Sequence, residues 1–193
     1  KAGDLPKWIH AGLSFVFGID ISKDNLENRL DGACVRYLES RKRNKNMPYA
    51  LFVNGNSAFN IKSGTGLLND KAIQISKAIF GIDVAKDEDK LGKGVYRHYG
   101  VGKEGFNISS CQFAIHYFFE NPELLQGFMR NISECTKIGG YFIGTTYDGK
   151  TIFQLLKKKN PGESIQILDD NKKIWEITKG YNSSATFEDN SSS

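Results

Sequence analysis

Short apolar runs alternate with amphipathic stretches along the chain. LSFVFGID (13–20) and YALFVNGN (49–56) read as buried strands, each closed by acidic or amide residues. GFNISSCQFA (105–114) and YFIGTTYDG (141–149) are strand-like as well, and KKIWEITKGY (172–181) alternates apolar and polar positions in strand fashion. Between them, DNLENRLDGACVRYLESRKR (24–43) sets Leu26, Leu30, Ala33 and Leu38 near helical spacing. DKAIQISKAIFG (70–81) predicts a short helix stopped by Gly81. NPELLQGFMRNISECTKIGG (121–140) predicts a helix with Asn121 as N-cap, Pro122 as first residue and Gly139 as stop, and KTIFQLLKKK (150–159) predicts another.

This alternation predicts an α/β fold, a mostly parallel sheet with helices on both faces. Ligands of such sheets bind beyond the C-terminal strand ends, which directs attention to Asp20, to Asn54 and Asn56, to Gln112, and to Thr145 and Asp148. Two stretches stand apart. RKRNKN (41–46) reads as a solvated basic helix end. The charged, glycine-rich 83–105 reads as a surface insertion; it lacks the spacing of a phosphate-binding loop after a strand. The polar 182–193 reads as a frayed tail.

Composition narrows the class. With 193 residues and 39% hydrophobic content, the chain can bury the core of one domain. Its net charge of +4 permits an anionic ligand without demanding one. Cys34, Cys111 and Cys135 are widely spaced and odd in number, which fits reduced, intracellular core thiols. No signal peptide or membrane-length apolar run is present in the sequence, so no membrane partner is expected. The histidines His10, His98 and His116 have no metal spacing, and no Ser-His-Asp or Cys-His set can be read.

Two places carry candidate chemistry. Asp20 closes a strand, where a carboxylate could hold the two hydroxyls of a ribose; with Ser22 and Asp24 following, it could equally cap the next helix. In CQFAIHYFFE (111–120), Gln112 can read a ring edge, while His116 and Tyr117 can hydrogen-bond and stack on a base. The alternative is an aromatic core patch holding one satisfied histidine, with Phe119 as a buried ring.

The segments FNISSCQFAIHYFFE (106–120) and GFMRNISECTKIGGYFIGTT (127–146) resemble the mRNA cap guanine-N7 methyltransferases. KAGDLPKW (1–8) is similar to the end of that family's cofactor glycine motif, and GIDIS (18–22) to its acidic strand end; the resemblance runs in order from residue 1 to about 180. The 83–105 stretch and GTTYDG look most like the methyltransferase part of large DNA-virus capping enzymes.

The resemblance implies a Rossmann-like class I fold dependent on S-adenosylmethionine. It also implies that the family's first strand and glycines would precede Lys1 and that its last strands would follow, so that 1–193 is part of a domain. It places Asp20, Asn56, Gln112 and Tyr117 at the cofactor, and Lys1, Asp4, Arg36 and His116 at the capped guanosine and its phosphates. Arg36 aligns only with extra residues allowed in its helix, Asn56 stands where the family has aspartate, and Tyr147 where it has proline.

The implied partners are 5′-capped RNA and other capping domains of a longer chain, at work in the nucleus or in a viral factory. No acid–base residue is required, because guanine N7 carries a free lone pair; alignment by His116 and Tyr117 is what the chemistry needs. The alternatives are a methyltransferase acting on another nucleotide or small molecule, and a non-catalytic truncated copy.

Overall fold

The computed structural model describes residues 2–182, in two units of which the first ends at Thr145 and the second begins at Thr146. Lys1 and 183–193, most of the polar tail, lie outside the described residues.

The first unit opens with α1 (Leu5–His10), which has Pro6 in its first turn. Two parallel strands follow, β1 (Phe15–Asp20) and β2 (Tyr49–Asn54), with Phe15 opposite Tyr49 and Asp20 opposite Asn54. The single helix expected between them is two, α2 (Lys23–Glu27) and α3 (Ala33–Arg43). Asn28 makes the break: its side-chain oxygen accepts the Leu30 N–H at 2.9 Å while its amide donates to Asp24. This local bonding replaces the helical ladder. Leu30, whose spacing suggested a buried face, is 90% exposed in that turn.

α4 (Asp70–Phe80) is capped by Asn69 and stops at Gly81, whose φ of +66° meets the left-handed requirement of a helix end. The 83–105 stretch then forms α5 (Glu88–Leu91) and α6 (Lys93–Arg97). Its charges face solvent, but Leu91 and Val95 are buried with Ala78 of α4, so hydrophobic burial anchors it to the core. The His98 ring packs against both Phe15 and Tyr49, with centroids at 4.8 and 4.2 Å. Those are the first residues of β1 and β2, at the far end of the strands from Asp20 and Asn54.

A second parallel pair follows, β3 (Phe106–Gln112) and β4 (Thr136–Thr145), joined through a 3-10 helix (Ile115–Glu120) and α7 (Pro122–Cys135). Asn121 caps α7 by accepting the Leu124 N–H at 2.9 Å. Gly139 does not stop this helix. The strand takes over at Thr136, and Gly139 sits within it at φ +78°, where the pairing jumps from Phe106–Thr136 to Ile108–Tyr141. Such a bulge needs residues without Cβ; one on Gly140 would lie 2.8 Å from the Asn107 carbonyl oxygen.

The alternation is Rossmann-like α/β, but its ladders form two parallel pairs rather than one sheet. Among the described residues, β1 pairs only with β2 and β3 only with β4. Side chains bridge the pairs: Phe106 stacks with Phe15 and Phe17 at 6.3 and 6.5 Å. Ile61, Phe80 and Cys135 form a buried cluster with Phe17 and Phe106 against it.

The second unit contains α8 (Gly149–Leu156), capped by Asp148 through the Lys150 and Thr151 N–H groups, and the antiparallel hairpin β5 (Ser164–Asp169) and β6 (Lys172–Thr178). β5 has no counterpart in the sequence reading. Its signal is the Asp170-Asn171 turn, where both residues take positive φ, as a tight hairpin requires.

Candidate functional site

Parallel pairing sets the strand ends level, Asp20 beside Asn54 and Gln112 beside Thr145. Half-buried Asp20 accepts the Ser22 N–H at 2.8 Å and the Asn25 side-chain amide at 3.1 Å. Ser22 in turn caps α2 by accepting the Asn25 N–H. The cap is therefore Ser22, and Asp20 organises the turn beneath it. A carboxylate has about four acceptor positions, and two donors leave capacity for a diol. The Asn54 amide donates to the Asp20 and Ile21 carbonyls, both at 2.9 Å, and clips this turn to the end of β2.

Beyond β2, the chain makes a compact loop. Asn56 accepts the Ala58 N–H on its side-chain oxygen at 2.9 Å, and its backbone N–H donates to the Gly66 carbonyl at 2.7 Å. One lone pair of that oxygen and the NH2 group remain beyond this bond, so Asn56 can accept from an exocyclic amino group, as an aspartate would, and can also donate to a ring acceptor.

Beyond β3, the chain turns sharply. Phe113 holds φ +52°, a conformation unfavourable for an aromatic residue, and its N–H donates to the Thr145 carbonyl at 2.8 Å. Gln112 spans the strand ends, donating to Ser110 Oγ at 2.9 Å and accepting from Thr145 Oγ1 at 2.8 Å. One N–H and one lone pair of the amide remain beyond these two bonds. His116 and Tyr117 lie on the exposed surface of the 3-10 helix with their rings 4.3 Å apart, and Tyr117 is 68% exposed. Phe119, expected in the core, is 65% exposed; Phe118 is the packed ring, stacked at 4.0 Å on buried Phe128. A period of three residues per turn, rather than 3.6, selects which ring points inward.

One face of α7 gathers both loops. Phe128 receives the turn after β3. One helical turn further on, buried Asn131 donates to the carbonyls of Ser57 and Phe59 and accepts the Ile61 N–H. Gly127 lets the helix approach, since a Cβ there would overlap the Ala58 carbonyl. Ser76 of α4 bonds the Ile61 carbonyl at 2.8 Å from the other side. Asn60 is tied to Glu134, whose carboxyl is held below its ordinary range by hydrogen bonds from Arg130 and then from Asn60. Asn25, Ser76 and Asn131 carry no sequence signal of this role, because each acts on backbone distant in sequence or on a neighbouring turn.

Of the expected cap-side residues, His116 lies in the turn after β3, whereas Asp4 and Arg36 lie apart from it, at α1 and on α3. Asp4 sits at the α1 N-terminus, paired with Lys7 at 2.7 Å, and Arg36 lines a cavity with Leu5 and Pro6. Lys1 lies outside the described residues. Burial pushes the half-buried Cys111 thiol above its ordinary pKa, which disfavours a thiolate nucleophile beside Gln112. The arrangement offers a carboxylate for a diol, amides for a heterocycle edge, and exposed rings for stacking.

Comparison with known proteins matches residues 1–174 to the model of the mRNA (guanine-N(7))-methyltransferase domain. The chain is similar to a protein named "Probable mRNA-capping enzyme" from Acanthamoeba polyphaga mimivirus, 32% identical over 94% of this chain and 14% of that protein. It is also similar to the mRNA cap guanine-N(7) methyltransferase of Schizosaccharomyces pombe, 24% identical over 84% of this chain and 34% of the relative. The counterpart in Drosophila melanogaster is 46% identical over 28% of this chain and 13% of the relative. The chain thus spans about a seventh of the viral relative and a third of the fission-yeast one.

Proposed function

Because the chain belongs to the mRNA (guanine-N7)-methyltransferase family, we propose that it transfers a methyl group to N7 of the guanosine cap of mRNA, with S-adenosylmethionine as donor. The observation that carries this reading is the convergence of the Asn56 loop and the Gln112–Tyr117 turn on one face of α7. A heterocycle-reading amide and a stacking surface are thereby held by a common support.

Asp20 would hold the ribose of the donor, and Asn56 and Gln112 would line its base and flank. S-adenosylmethionine supplies an electrophilic methyl group when bound. His116 and Tyr117 orient guanine so that the N7 lone pair points at that carbon, while Asp4, Arg36 and Lys1 hold the guanosine and its phosphates. No proton leaves N7, so no base is needed; alignment is the chain's contribution. We read the chain as part of a capping protein, and the edges of β1 and β3 that no ladder covers among the described residues as places where a further strand would pair.

The test is transfer of labelled methyl from S-adenosylmethionine to GpppG by the full-length protein. Label recovered as 7-methylguanosine is expected. Label on another acceptor moves the reading to a different substrate, and absence of donor binding moves it to a non-catalytic role.

A further inference from the structure

Resting on the N7 reading above, we propose that the groove between α1 and α3 carries the RNA backbone just downstream of the cap. The groove is a cavity of about 160 Å³ lined by Leu5 and Pro6 of α1 and by Arg36, Glu39, Ser40 and Arg43 of α3. The α3 residues stand at i, i+3, i+4 and i+7, one face of the helix.

The opposite face fixes that orientation. Buried Tyr37 donates its hydroxyl to the Pro48 carbonyl at 3.0 Å and accepts from the Ala50 N–H at 3.1 Å, so α3 cannot roll. Arg41 is committed to the same side. It donates to the Tyr37 hydroxyl at 2.7 Å and lies 5.0 Å over the Tyr49 ring. The basic run at the end of α3 therefore divides, with Arg41 structural and Arg43 facing the groove.

The spacing suits a nucleic acid strand. Seven residues of helix put the Arg36 and Arg43 backbones about 10 Å apart. At about 3.4 Å per phosphate along one stacked strand, that is roughly three nucleotides. Along the helix Glu39 and Ser40 stand between Arg36 and Arg43 and can bond ribose 2′-hydroxyls, while Leu5 and Pro6 supply an apolar wall for a sugar. A chain alternating phosphate with hydroxyl fits this order, whereas an acidic peptide would set its carboxylates against Glu39.

The experiment compares Arg43→Ala and Arg43→Lys with the parent in the full-length protein, reading GpppG methylation and binding of a short capped oligoribonucleotide over a salt series. For Arg43→Ala, oligonucleotide affinity falls about tenfold, irrespective of base sequence. The slope of log affinity against log salt shrinks by about 0.7, GpppG kinetics are unchanged, and Arg43→Lys retains most of the affinity. Unchanged oligonucleotide affinity overturns the proposal. So does an equal loss on GpppG, or an Arg43-dependent affinity for polyglutamate that exceeds that for RNA. A protein that binds RNA through Arg43 but methylates neither substrate retires the N7 reading and keeps RNA in the groove.

Discussion

The Asn131 side-chain amide donates to the Phe59 carbonyl at 2.7 Å, across 72 residues of sequence. The same carboxamide holds Ser57 and Ile61, so one side chain on α7 closes three backbone groups of the loop carrying Asn56. Asn131→Ala leaves those groups without their partner. The expected cost is about 2–4 kcal/mol of stability, since each buried polar group left unsatisfied costs about 1–3 kcal/mol. Urea melts measure it. Calorimetry should show donor affinity falling as well, whereas a merely structural loss leaves the affinity of the folded fraction unchanged.

Asp20 serves its own turn and, in the proposed function, a ribose. Asp20→Ala should weaken S-adenosylmethionine binding by about 1.5–3 kcal/mol, the scale of a hydrogen bond to a charged group. Asn25→Ala removes the amide that orients the carboxylate and should cost less. Calorimetry on variants shown to be folded decides; full affinity in Asp20→Ala would restrict Asp20 to holding the turn before α2.

The aromatic run separates packing from recognition. Phe118→Ala loses the stack on Phe128 and should destabilise by up to about 3 kcal/mol, the lower end for a packed phenylalanine. Phe119→Ala, at an exposed position, should change stability by about 0.5 kcal/mol or less. His116→Ala should melt like the parent yet slow single-turnover methylation of capped RNA about a hundredfold, the scale of misplacing a reacting atom by an ångström. Normal turnover would remove His116 from guanine alignment.

Stability should fall at alkaline pH through Cys135. Burial first, and the neighbouring Glu134 charge second, push its thiol up to about 11. An unfolded cysteine ionises near 8.5, so between those values the unfolded state releases its proton first and gains relative to the folded one. The contribution is complete below about pH 8.5 and lost as pH rises through the folded value. Chemical melts should show a decline across that window which is flatter in Cys135→Ala.

Local chemistry was legible in the sequence. Asn121 and Pro122 start α7, Gly81 stops α4, and the apolar runs at β1 and β2 are strands, half-buried throughout in β1, because caps, left-handed stops and hydrophobic period depend on near neighbours. The family was legible too, since CQFAIHY and GGYFIGTT are contiguous. Where contiguous pattern competed with another local bond, spacing misled: Asn28 broke the helix expected over 24–43, and the ladder at Thr136 claimed residues that read as helix up to Gly139.

Tertiary structure alone decided what holds the candidate site. That Asn131 serves the Asn56 loop, that Phe118 rather than Phe119 meets Phe128, and that Arg41 and Arg43 of one basic run do different work all depend on how separate elements pack against one another. A side chain's partners are set by which backbone groups folding leaves unpaired and buried beside it. A one-dimensional pattern records the period of an element, but it does not record those distant, desolvated donors and acceptors.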